Sequence, residues 1–89
     1  MTDGTNPLVL NNLAFAQSRL GNRAKALTYA ERALKFAPNS ASVMDTVGQL
    51  LIETRGDRGR ALALLRRAAQ AAPQNAAIRD HLAQAEKAA

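Results

Sequence analysis

The residue types that most often do chemistry are sparse in this chain and stand apart from one another. Its single histidine, His81, directly follows Asp80. Neighbours on a helix point about 100° apart, so these two cannot close on one metal ion, and His81 reads as a surface side chain. Ser18, Ser40 and Ser42 have no histidine beside them in sequence. Neither a nucleophile elbow nor a glycine-rich phosphate loop is spelled anywhere. The absence of cysteine removes thiolate catalysis, disulfides and Cys-ligated zinc together. Arg55-Gly56-Asp57 spells an adhesion tripeptide, yet a helix end, a left-handed glycine and an N-cap account for the same three residues. The expectation is no enzyme, no metal and no cofactor.

The cations are the other candidates. A formal net charge of +5 and a pI near 10.8 raise the question of a polyanionic partner. Arg58, Arg60, Arg66 and Arg67 can form a local basic patch, but Phe15, Tyr29 and Phe36 are not interleaved with them as base-stacking platforms would be. The pattern favours a solvated helix face and argues against nucleic acid. A basic surface holding an anionic polymer, polysaccharide or nucleic acid, stays as the alternative function.

The elements that must position these residues are helices. Apolar residues make up 47% of the chain and aromatics only 3%, so the core is built of Ala and Leu, which suit closely packed helices better than a sheet. The phrase "ALKFAPNSA" at 33–41 returns as "AAQAAPQNA" at 68–76. Ala26, Leu27, Ala33 and Pro38 pair with Ala61, Leu62, Ala68 and Pro73 at an offset of 35, and upstream Leu10 and Ala14 pair with Met44 and Gly48 at an offset of 34. The extra residue falls in the turn, where "SRLGN" becomes "ETRGD". Steps of one, three and four predict amphipathic helices near 7–20, 23–37, 41–54, 58–71 and 76–87. Asn6 before Pro7, Ser40, and Asn75 are placed to cap helices, and Gly21 and Gly56, each followed by a capping Asn22 or Asp57, suit left-handed helix ends.

These residues resemble the tetratricopeptide repeat (TPR), a helix–turn–helix unit of about 34 residues. Ala14, Gly21, Ala26, Ala33 and Pro38 match its small, turn and proline places in one unit, and Gly48, Gly56, Ala61, Ala68 and Pro73 match them in the next. The large aromatics usual in the family are replaced by Leu10, Gln17 and Ala30, then by Met44, Leu51 and Leu65. The resemblance implies an all-α fold in which two hairpins and a C-terminal capping helix stack as a right-handed superhelix. It divides a single domain of residues 1–89 into repeats at 7–40 and 41–75 and a cap at 76–87.

The resemblance also implies a function, protein–protein interaction by a scaffold that holds a peptide or protein segment in its concave groove. Carried over place by place, the groove takes Asn11, Asn12, Phe15, Ser18 and Arg19 from the first helix, Asp45, Thr46, Gln49, Ile52 and Glu53 from the third, and Asp80, His81 and Gln84 from the fifth. Asp45 and Glu53 on this wall would repel a carboxylate, which argues against a clamp for C-terminal chaperone tails. "NNLA", "VMDTVGQLL", "GDRGRALALLRRA" and "IRDHLAQA" further resemble the C-terminal repeats of bacterial TPR proteins associated with exopolysaccharide export and PEP-CTERM sorting. That implies a cell-envelope or periplasmic parent, with the cytoplasm as the alternative.

The two ends differ. Arg79 and Glu86 stand where earlier units carry apolar residues, leaving Ile78, Leu82 and Ala85 as one narrow stripe, as befits a cap. The first helix carries Leu8, Val9 and Phe15 beyond the stripe its partner helix needs. They predict a seam for upstream repeats or a weak homodimer surface. No apolar run approaches the length of a transmembrane helix, and "MTDGTNPLVL" lacks the basic and apolar regions of a signal peptide.

Overall fold

A computed structural model describes residues 6–87. Five helices follow in order: α1 (Pro7–Arg19), α2 (Arg23–Phe36), α3 (Ala41–Glu53), α4 (Arg58–Ala71) and α5 (Ala76–Lys87). No strand occurs among the described residues. The expected all-α stack is therefore present, and each expected helix lies within a residue or two of its observed bounds.

Local chemistry explains where the helices begin. The Asn6 side chain accepts from the backbone N–H groups of Leu8 and Val9, with Pro7 occupying the first helical position, where a missing N–H costs nothing. Ser40 accepts from Val43, Asp57 from Arg60 and Asn75 from Ile78. Asn22 departs from this pattern, because its amide donates to Gln17 Oε1 at 2.9 Å and makes no cap bond.

The two inter-helix turns differ by one residue, and the structure shows what that residue does. After α1, Gly21 takes a φ of 85° and the Asn22 N–H closes onto the Gln17 carbonyl, so Asn22 both ends one helix and starts the next. After α3 the left-handed residue is Arg55, at φ 57°, and not Gly56. Gly56 instead donates its N–H to the Leu51 carbonyl, and the separate Asp57 caps α4. The aligned glycines are thus not structural equivalents. A Cβ on Gly56 would lie 3.0 Å from Leu51 Cδ2, so close packing accounts for the small residue there.

Packing follows the repeat. α1 pairs with α2 and α3 with α4; α2 then packs on α3 and α4 on α5, while α1 touches α3 and α3 touches α5 along one side. The core is lined by fully buried alanines, Ala14, Ala26, Ala30, Ala33, Ala61 and Ala68, around Leu10, Met44, Val47 and Leu65. The closest approach is at Gly48, where an added Cβ would stand 2.7 Å from Leu65 Cγ. Ala14 and Ala30 hold those two places in the first pair, so a smaller residue on α3 offsets a larger one on α4.

Arginines tie the pairs together on the other side. Arg60 makes a bidentate bond to Glu31 at 2.5 and 2.7 Å, linking α4 to α2. Arg67 reaches the Asn39 side chain, Arg66 pairs with Glu86, and Arg58 donates to the Ala85 carbonyl near the end of α5. The four cations read as one basic patch are each spent on a contact between elements.

Candidate functional site

The side built by α1, α3 and α5 carries two adjoining clefts. The first, about 190 Å³, lies between α1 and α3 and is lined by Ala14, Phe15, Ser18, Thr46, Gln49, Leu50 and Glu53. The second, about 220 Å³, lies between α3 and α5 over α4 and is lined by Gln49, Ile52, Glu53, Leu65, His81, Gln84 and Ala85. Gln49 and Glu53 border both, so the clefts form one groove across three helices. α3 can supply both walls because it is the central helix, with neighbours on either side.

Expected groove residues fall into three groups. Phe15, Ser18, Thr46, Gln49, Ile52, Glu53, His81 and Gln84 line the clefts. Asn12, Arg19 and Asp80 are exposed but line neither. Asn11 and Asp45, expected to face a ligand, are instead buried, at 6% and 7% exposure. Asn11 lies under the start of α3 beside Pro7 and Val43, with its Oδ1 unpaired. The α1–α3 crossing covers that place, which on an isolated helix would be open.

Asp45 has a different task. His81 Nδ1 lies 3.0 Å from Asp45 Oδ1 and 3.1 Å from Oδ2, and Gln49 Nε2 donates to Oδ2 at 3.1 Å. His81 is therefore half-buried and held across the α3–α5 contact, not a free surface histidine, and its partner is Asp45 and not Asp80. Burial pushes the Asp45 carboxyl above its ordinary value near 3.8, opposed by the His81 and Gln49 hydrogen bonds. The pair is 36 residues apart in sequence. Its only sequence signal is register, since Asp45 and His81 occupy adjacent places of consecutive first helices.

A carboxylate can only accept, so Asp45 orients both neighbours. It accepts an N–H from Gln49, and His81 Nδ1 lies within hydrogen-bond distance of both its oxygens. Gln49 keeps its carbonyl oxygen and a second amide hydrogen for other partners. Glu53 adds a half-exposed carboxylate whose ion pair to Arg23 is long at 3.8 Å. Ile52, Leu65 and Ala85 make the apolar part of the same cleft.

Residues 7–40 match the tetratricopeptide repeat. The matched span is α1, α2 and the connection to α3; α3 and α4 pair in the same way, which gives an all-α stack of helix hairpins. Repeats of this family are non-catalytic scaffolds that mediate protein–protein interaction. No curated protein matches the chain.

Proposed function

We propose that the chain is a protein-binding scaffold that holds a peptide or protein segment in the groove formed by α1, α3 and α5. The observation that carries this reading is the meeting of the two clefts at Gln49 and Glu53, which makes one continuous, mixed polar and apolar channel out of three TPR-type first helices. Exposed Phe15 offers an aromatic anchor at one end, and Gln84 offers an amide at the other. In this reading the Asp45–His81 pair shapes the wall of the groove and serves recognition.

The anionic-polymer alternative rested on Arg58, Arg60, Arg66 and Arg67, whose hydrogen bonds to Ala85, Glu31, Glu86 and Asn39 support an architectural role. The likeness to exopolysaccharide-associated TPR proteins supports a further proposal, that the parent protein assembles partners in the bacterial envelope.

The test is a random dodecapeptide library selected on the wild-type chain and on a groove-filled variant, Ser18→Trp with Gln84→Trp. Binders recovered on the wild type and lost on the variant support the groove. Binders retained equally by both place the interaction elsewhere on the molecule.

A further inference from the structure

We infer that the His81 cleft accepts a lysine or arginine side chain, so that the groove selects basic segments of its partner; this rests on the groove reading above. The buried Asp45 carboxylate accepts from Gln49 Nε2 at 3.1 Å and lies 3.0 Å from His81 Nδ1. Both residues line the cleft, and the Gln49 carbonyl oxygen, not engaged by Asp45, can accept from a ligand. Glu53, at the junction of the two clefts, contributes a further acceptor and a full negative charge.

A carboxylate and an amide acceptor bordering one cleft call for a ligand group that is donor-rich and cationic, and ammonium and guanidinium are the protein groups of that kind. The cleft of about 220 Å³ has room for a long side chain, and Ile52, Leu65 and Ala85 provide apolar surface for its methylene stem. Arg23 competes for Glu53, but their contact is 3.8 Å with side chains 57% and 42% exposed, a pair weak enough to be exchanged. An acidic or C-terminal carboxylate ligand would meet Glu53 and the Gln49 carbonyl with no lysine or arginine among the described residues that line the cleft. A net basic protein thus carries a locally acidic binding groove.

The dodecapeptide selection decides this once binders are sequenced and measured by isothermal titration at 150 mM salt. Groove-dependent binders are expected to be enriched in Lys or Arg. Replacing that residue by norleucine or citrulline, or Glu53 by Gln on the protein, should each weaken binding about fivefold or more. Groove-dependent binders that lack basic residues, or that ignore Glu53→Gln, would overturn the basic-segment assignment while leaving the groove intact. Binders indifferent to the Ser18→Trp, Gln84→Trp block, or a library without binders, would remove the groove reading and this inference with it. Glu53 is exposed, so Glu53→Gln is expected to fold, and an unchanged thermal midpoint checks that.

Discussion

Arg55 holds a left-handed backbone at φ 57°, which costs an L-residue about 1–2 kcal/mol over glycine, partly offset by glycine's greater freedom when unfolded. Arg55→Gly is therefore expected to stabilise the chain by about 0.5–1 kcal/mol in urea denaturation. An unchanged or lower midpoint would mean that the Arg55 side chain makes up the difference. Asp45 gives a second prediction at this scale. Its folded pKa lies above its unfolded value near 3.9, so the folded chain holds that proton to higher pH. The stability this group adds is full below about pH 4 and is lost as the pH rises through its folded value. Asp45→Asn should remove that part of the pH dependence, and denaturant midpoints measured upward from pH 4 should fall less steeply for the variant than for the wild type. Equal slopes would show that the hydrogen bonds from His81 and Gln49 cancel the effect of burial.

The elements lock through size matching at one crossing. Gly48 on α3 faces Leu65 on α4 so closely that a methyl group would force Leu65 to move. Gly48→Ala should cost about 1–3 kcal/mol by overpacking, more than the roughly 1 kcal/mol it gains in helix propensity. Leu65→Ala alone should cost about 2–5 kcal/mol through a cavity. The double variant restores the Ala14 and Ala30 pairing of the first repeat, so its loss should be smaller than the sum by about 1 kcal/mol or more in a double-mutant cycle. Strict additivity would contradict the size-matching account. Across the outer side, Glu31→Ala should cost about 0.5–1 kcal/mol despite its bidentate geometry, because both partners are more than a third exposed.

The same elements show what a single sequence can reveal. Helix bounds, four of the caps and the stacked order were legible because periodicity, proline and capping residues act locally. The left-handed residue after α3 was misplaced because the extra residue was put before Gly56, whereas the Asn22–Gln17 and Gly56–Leu51 hydrogen bonds match Asn22 with Gly56 and put the extra residue after it. Asn11 and Asp45 were expected in the groove and are buried, since the neighbouring helix decides how much of a face stays open. The Asp45–His81 contact joins different units and leaves no local pattern at all.

At the scale of the whole molecule, the two ends of the stack are unequal. α3 buries Val43, Thr46, Val47 and Leu50 at places where α1 has Val9, Asn12, Leu13 and Ala16, none of them fully buried. Val9 thus lies on the face that a preceding unit or second copy would cover, whereas Phe15 lines the groove and Leu8 lies beside Asn11. Weak self-association through α1 should appear as a mass above monomer in sedimentation equilibrium at high concentration. Val9→Glu should abolish it, and a monomer throughout would contradict it.

The groove is the centre of the account, and the most direct measurement is a 15N–1H titration of the wild-type chain with a selected peptide. Perturbed resonances should follow Phe15, Gln49, Glu53, His81 and Gln84 along α1, α3 and α5, leaving the outer surfaces of α2 and α4 unmoved. Shifts concentrated instead around Arg60, Arg66 and Arg67 would contradict it and make the arginine-bearing side the binding surface.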